Sequence, residues 1–370
     1  MVKKFILRSM LFFSPFLVLL GVEIFILPID FFTFRVWEAL VVRKFELLLP
    51  GPFYPNMRVL KEEEGDLTHH TRYALRRKVA WATDRQGYRH EDSGLLPYLI
   101  VIVGESEVVG TGLTQEEILS AALERKLGIG VYPLAPGSIN SFLRQGRFAE
   151  HPPRVLILTR PERSITDLPR IRSGRMWSSG SLRGRVLEAR TWLKEKIEAT
   201  RWIQKLGVLL DRLYKSPMLY SLRANLRRGL SASTGSSLKS EVTPHGLIFF
   251  LQGRQVEPDV SSSLFDDTLR TIKSYHDLLQ DRGIRFIFLP IPEKETCFYE
   301  YLGLEAPRFL DRLNSKLQEM GIETIDLRPA FVEALQRSSI LPYQTDDTHW
   351  SAEGVRIAAG LIEARVRKKE

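Results

Sequence analysis

The sequence predicts an α/β protein: a central parallel sheet flanked by helices, preceded by an N-terminal transmembrane helix and interrupted by a helical insertion. Three observations carry this. An apolar, β-branched run from Tyr98 to Val103 stops abruptly at Gly104-Glu105-Ser106, as a buried parallel strand does when it reaches the carboxyl edge of a sheet. Strand, loop and helix patterns then alternate through the rest of the chain with short connections. Before all of this stands a run of twenty mostly apolar residues, Met10 to Ile29.

That run follows Lys3, Lys4 and Arg8 and is long enough to cross about 30 Å of hydrocarbon. Positive charge ahead of the span orients the amino terminus to the cytoplasm and the remainder to the far side of the inner (cytoplasmic) membrane. No small-x-small cleavage site follows clearly, so an uncleaved single-pass anchor over residues 1–32 is expected, with the folded domain in the periplasm or outside. Glu23 lies inside the run and needs a partner or an interfacial position. Residues 33–97 read as a juxtamembrane helix and a lead-in. The helix is expected over 34–49, where Trp37 and Arg43-Lys44 suit a membrane surface and a plain packing helix fits equally. Pro50-Gly51-Pro52 ends it, and short strands are expected within 71–82.

The sheet domain occupies 98–370. After the strand at 98–103, Thr114 and Glu117 have capping-box spacing for a helix over 115–127. A second strand leads into the turn Ala135-Pro136-Gly137, and a helix is expected over 138–148. A third strand at 154–159 ends in Arg160-Pro161-Glu162-Arg163. Residues 170–240 break the rhythm with a basic helical insertion, rich in Lys and Arg, with helices expected over 186–214 and 217–230 and Trp192, Trp202, Leu206, Leu209, Leu210 and Leu213 at helical spacing. Part of the net charge of +9 over 370 residues sits there. Nucleic acid is a poor partner for a chain sent across a membrane. Anionic phospholipid, an acidic polysaccharide or a protein partner fits better. Strands at 246–251, 285–290 and 323–327 and helices at 262–282, 306–320 and 352–368 complete the alternation. The first of these strands is expected in a hairpin through Gly253, and Lys294 reads as a solvated loop lysine. Cys297 stands alone, so an internal disulfide and a cysteine-based zinc site are both excluded.

A serine hydroxyl becomes nucleophilic when a base within hydrogen-bond reach takes its proton. Histidine has the right basicity, and a carboxylate holds its tautomer. Ser106 at a strand end and Thr345-Asp346-Asp347-Thr348-His349-Trp350 near the far terminus supply that set, with Asp346 and Asp347 both open as the acid.

Here the sequence resembles the SGNH (GDSL-like) hydrolase superfamily, and within it the periplasmic alginate O-acetyltransferase-type proteins, over roughly residues 80–365 without the insertion. Gly104-Glu105-Ser106 is similar to the first block, with Glu105 where the superfamily has Asp. Gly137 is similar to the second-block glycine of the oxyanion hole. Asp346 fits the superfamily's Asp-x-x-His spacing, whereas Asp347 fits the acetyltransferases' Asp-Thr-His-Trp. Pro161-Glu162-Arg163 is similar to an acetyltransferase segment. Two departures stand out. No Gly-x-Asn block follows the third strand, and the serine precedes the Asp-His pair, the reverse of the alginate enzymes. Losing one oxyanion donor costs roughly 10²–10³ in rate, so weak hydrolysis is expected.

The resemblance implies an SGNH-like three-layer domain that transfers acyl groups, most plausibly acetyl, to hydroxyls of an envelope or exported polysaccharide. Ser106 would attack, His349 act as base and then acid, and Asp347 or Asp346 orient it, with Gly137 and Arg163 at the oxyanion and Trp350 at the substrate or in packing. A polytopic membrane acyltransferase is implied as the acetyl source, and no metal or organic cofactor is required. A carbohydrate acetyl-esterase with the same residues, and a non-catalytic polysaccharide-binding or assembly module, are the alternatives.

Overall fold

A computed structural model describes residues 2–92, 94–171, 200–219, 240–243, 246–251, 260–337 and 340–368. Its centre is a five-stranded, wholly parallel sheet. The strands are β3 (Tyr98–Val103), β4 (Gly130–Leu134), β5 (Val155–Pro161), β8 (Arg285–Ile291) and β9 (Glu323–Thr324), in the order β4-β3-β5-β8-β9. Because side chains alternate across a strand, each central strand feeds two cores. Ile100, Ile102, Ile157, Ile287 and Leu289 face one side, where the helices Leu119–Leu127 and Ala352–Arg367 contribute Leu119, Leu123, Val355, Ala358 and Ile362. Val101, Val103, Leu156, Leu158, Phe286 and Phe288 face the other, against Phe265, Ile272, Tyr275, Leu310 and Leu313 of the helices Ser262–Gln280 and Phe309–Glu319. The result is the expected three-layer α/β arrangement.

Strand order reverses between β3 and β5, with β4 outside β3, and a sheet of this kind opens a crevice at the carboxyl ends of the strands where the order switches. Ser106 follows β3 and Arg163 follows β5, so both stand at that crevice.

Two antiparallel ladders lie outside the sheet. β1 (Arg58–Glu63) pairs with β2 (Arg77–Ala82), and β6 (Ser240–Thr243) pairs with β7 (Gly246–Phe249). The 246–251 segment is therefore a hairpin arm rather than a sheet strand. Its partner precedes it, and Gly253 lies outside the described residues. Several expected helices are shorter. Residues 138–148 hold two, Ile139–Phe142 and Gly146–Glu150, and Thr114 and Glu117 form their capping box on a 3₁₀ turn ahead of Leu119.

The segment 33–97 departs most from expectation. Only Val36–Leu40 is helical, and Val36, Ala39 and Leu40 are buried in the main core with Phe53 and Trp81. The β-branched pair Val41-Val42 leaves the helix instead, bridging Val41 to Phe53 and sending Val42 N–H to Pro52 O at 2.8 Å. Of the insertion, the helix Arg201–Lys215 is described and docks on this segment. Its fully buried Asp211 carboxylate accepts from Arg43 N–H (3.1 Å), Lys44 N–H (2.8 Å) and Tyr54 Oη–H (2.7 Å). The helix expected over 217–230 lies almost wholly outside the described residues. At the amino terminus, the helix Val2–Gly21 runs on through one widened turn to Ile26. The 24 residues Lys3–Ile26 are long and apolar enough to cross a bilayer, and most of the described side chains among them are exposed.

Candidate active site

Ser106 opens the short helix Ser106–Val109 immediately after β3 and is half-buried. Gly104 makes the turn possible. A Cβ there would meet Thr159 Oγ1 at 2.1 Å and Val108 Cγ2 at 2.5 Å, so a larger residue would push the turn off β5. Glu105 pairs with Arg160 at the rim, which is the role its longer side chain takes in place of Asp. Ser106 Oγ–H donates to Glu107 Oε2 at 3.4 Å.

The second element is the loop before the helix Ala352–Arg367. His349 is buried, and its Nδ1 lies 2.5 Å from Asp347 Oδ1, which also accepts from His349 N–H at 2.9 Å. Asp347 is therefore the carboxylate that holds the imidazole. His349 Nε2 is buried and has no hydrogen-bond partner among the described residues. The loop is latched to the serine's turn. Trp350 Nε1–H donates to Glu107 O at 3.0 Å, and Gln344 Nε2–H to Thr111 O at 3.0 Å. Burial alone would lower the His349 pKa, but Asp347, with Glu107 and Asp66 behind it, reverses this and raises it to about 9. Burial likewise opposes ionisation of Asp347, yet His349 and the backbone N–H donors hold its carboxyl well below the usual range.

Asp346 points elsewhere. It pairs with Arg77 and accepts from Leu75 N–H at 2.9 Å and Thr68 Oγ1–H at 3.3 Å, fastening the loop to the lead-in segment. Gly65 lets the two backbones meet, since a Cβ there would lie 2.2 Å from Asp346 O. The same segment supplies a residue that sequence reasoning missed. Asp66 accepts from Thr348 N–H (2.8 Å) and Thr348 Oγ1–H (2.6 Å), and its own N–H donates to Asp347 Oδ2 at 2.9 Å. Asp66, Asp347 and His349 bring ligand-type atoms within 4.8 Å of one another. The Nδ1–Oδ1 separation is a hydrogen bond, and Thr348 occupies both Asp66 oxygens, so the cluster reads as a proton-holding network. Asp66→Ala is expected to lower turnover about 10- to 100-fold, as loss of an outer partner does at other ligand-orienting sites. It should also lower the upper pKa of the rate profile, and Asp66→Asn, which keeps the hydrogen bonds but not the charge, should restore part of the turnover and leave the pKa lowered. A change in melting temperature with an unchanged pH profile would assign Asp66 a purely structural role.

Two other expectations, at Gly137 and Lys294, need correction, and of the two readings of Trp350 the packing one fits. Gly137 N–H donates to Gly104 O at 2.7 Å, so it ties β4 to the serine's turn and is not open to an oxyanion. Trp350 has no exposed surface, so it packs and anchors rather than offering a face to a sugar. Lys294 is buried, not solvated. Its Nζ–H donates to Phe249 O (2.9 Å) and Thr345 O (3.3 Å), joining the β6–β7 hairpin to the histidine's loop. Desolvation lowers its pKa to about 8 against the pull of nearby carboxylates.

Arg163 is held by Glu293, with Nη1 at 2.8 and 2.6 Å from the two oxygens, and reaches Glu107 at 3.5 Å. Glu162 accepts from Thr296 Oγ1–H (2.7 Å) and Glu293 N–H (3.1 Å), and burial raises its pKa to about 8. Pro161-Glu162-Arg163 and Pro292-Glu293-Lys294 thus interlock across the ends of β5 and β8, where Pro161 is in register with Ile291. A cavity of about 1130 Å³ lined by Asp84, His90, Tyr98 and Arg147 includes none of these residues and lies by the start of β3, not its end.

Residues 248–370 match the sequence family described as "SGNH hydrolase-like domain, acetyltransferase AlgX". Over that third of its length the chain is similar to the SGNH hydrolase-like domain of AlgX. Two curated relatives are called probable alginate O-acetylase AlgJ. The one from Pseudomonas putida is 25% identical over 114 residues, covering 30% of this chain and 29% of the relative. The one from Pseudomonas aeruginosa is 25% identical over 119 residues, covering 31% and 30%. The chain thus matches under a third of the length of these relatives. A lipolytic protein of the G-D-S-L family from Desulfitobacterium hafniense superposes with a TM-score of 0.34 at 10% identity, over 72% of this chain and 98% of that one. The SGNH-like match includes the Asp347-Thr348-His349-Trp350 loop, β8 and the last helix, whereas β3 and Ser106 lie outside it.

Proposed function

We propose that this chain is an acetyltransferase, anchored in the inner membrane by its Lys3–Ile26 helix, that esterifies hydroxyls of an exported polysaccharide through Ser106, His349 and Asp347. The observation that carries the reading is His349, whose Nδ1 is held by Asp347 at 2.5 Å while its buried Nε2 has no partner among the described residues, on a loop latched to the serine's turn. In the first half-reaction His349 Nε2 takes the Ser106 hydroxyl proton as Oγ bonds to the donor's carbonyl carbon. The tetrahedral intermediate collapses when His349 returns that proton to the leaving group, leaving acetyl-Ser106. A sugar hydroxyl then repeats the sequence and carries the acetyl away. Ser106 N–H has no acceptor among the described residues and is the donor for the oxyanion. The acetyl group would come from a polytopic membrane acyltransferase. The names of the relatives favour transfer to a polysaccharide over release to water.

The test pairs fluorophosphonate labelling with product analysis on the full chain in detergent. Wild type should be labelled at Ser106, Ser106→Ala should not, and an activated acetyl ester plus a uronate polymer should yield acetylated polymer. Acetate alone would make the chain an esterase. An unlabelled, folded wild type would overturn the catalytic reading.

A further inference from the structure

The helix Arg201–Lys215 is docked inside out. Its buried positions are Gln204, Gly207 and Asp211, spaced along one face beside Val208, which packs on the core, and Trp202, Leu206, Leu209 and Leu213 occupy the opposite one. Trp202 is 66% and Leu206 41% exposed, and Leu209 and Leu213 on the same outward face are only partly covered. A helix in a globular domain turns its apolar stripe to the core. This one is held by polar and small residues: the Asp211 carboxylate on the Arg43 and Lys44 N–H groups, Gly207 against Leu48, and Lys215 Nζ–H donating to Ala39 O at 2.6 Å.

Its position indicates what the outward face meets. Arg212 Nη2 donates to Glu23 O (3.4 Å) and Leu27 O (3.3 Å), the carbonyls at the carboxyl end of the apolar helix Lys3–Ile26. If that helix spans a bilayer, hydrocarbon gives way to headgroups at this level. Phe31 and Phe32, just beyond the span, are 57% and 55% exposed. The exposed side chains of Arg43, Lys44, Arg201 and Lys205 supply cations at the same level, complementary to anionic headgroups. An apolar face flanked by cations is the composition of a helix lying in the plane of a membrane interface.

We propose that Arg201–Lys215 lies flat in the headgroup region of an anionic bilayer, Trp202 and Leu206 in the acyl boundary, making a second, in-plane contact beside the spanning helix. The inference rests on the anchor reading above. With one spanning helix the domain is free to tilt. With this second contact the domain holds a fixed orientation to the lipid surface, and the crevice holds a fixed height.

The experiment uses the full chain in vesicles of phosphatidylethanolamine and phosphatidylglycerol. Native Cys297 is buried, so single variants Trp202→Cys, Leu206→Cys, Val18→Cys and Arg270→Cys each offer one reactive thiol for a nitroxide. Collisions with oxygen, which partitions into lipid, are compared with those of a water-soluble nickel chelate. The oxygen-to-nickel ratio at 202 and 206 should exceed that at 270 several-fold, with 18 higher still. Lipid values at 18 with 270-like values at 202 and 206 would overturn the in-plane helix and keep the anchor. Water-like values at 18 as well would overturn both. Low collision rates with both reagents at 202 and 206 would mean a protein partner covers the face, and would also overturn the proposal.

Discussion

Asp347→Asn is expected to lower acetyl transfer at neutral pH by about 10⁴-fold while leaving the chain folded. That is the scale seen when the carboxylate of a Ser-His-Asp set is neutralised without change of shape. The cause is the tautomer. Asp347 Oδ1 accepts from Nδ1, which leaves Nε2 as the lone-pair nitrogen, and an amide nitrogen in its place would donate to Nδ1 and reverse the two. The pH profile carries a second signature. A base must be neutral to take the Ser106 proton, and His349 is raised to about 9, so at pH 7 only about one molecule in a hundred holds it ready. Wild-type turnover should therefore climb with pH, approaching about tenfold per unit, and level off near 9. With the Asp347 charge removed, the pKa falls, and the plateau begins at lower pH and at a far lower rate. Steady-state rates between pH 5 and 10 measure both effects. A profile for Asp347→Asn that only scales down, with no shift, would remove His349 from the role of base.

Asp346→Ala is expected to do the opposite. Asp346 does not reach His349. It is a buried carboxylate paired with Arg77 and bonded by Leu75 N–H and Thr68 Oγ1–H. Removing one member of a buried pair and leaving the other uncompensated costs about 3–5 kcal/mol, and the partial exposure of Arg77 places the expectation at the lower end of that range. Urea denaturation should show a lower midpoint with an unchanged slope. Rate per folded molecule below the transition should stay close to wild type. A variant with intact stability and a collapsed rate would reverse the roles of the two neighbouring aspartates.

The two carboxylates also mark where the sequence stops being legible. The strand end at Gly104-Glu105-Ser106 was readable because an apolar, β-branched run stops there, and the parallel sheet because β3, β5 and β8 are each buried on both faces. Asp346 and Asp347 both satisfy a spacing rule. What separates them is Asp66, Leu75 and Arg77, which are remote in sequence and carry no motif. Gly137 fits its block by position, but its N–H is taken by Gly104 O, a pairing set by how β4 lies against β3. Lys294 looked solvated because the hairpin that buries it falls outside the alternating pattern. The helix at 201–215 is the clearest case. Its amphipathic stripe is plain in the sequence, but which face turns inward depends on Asp211 finding the amides of Arg43 and Lys44.

The bond from Asp66 N–H to Asp347 Oδ2 joins residues 281 positions apart. A chain is made from its amino end, and its early domains fold while the rest is still emerging. Ser106 and the Asp66 turn are therefore present long before His349, and for most of the time spent in synthesis the serine has no base. On the proposed mechanism, reactivity then waits for the His349 loop, in the same event that packs the helix Ala352–Arg367 onto the sheet. A chain cut short before residue 349 would thus be a protein with an inert serine, not a careless esterase. On that mechanism a form of quality control is written into the order of the chain: Ser106 gains its base only once the histidine's loop has been made and packed.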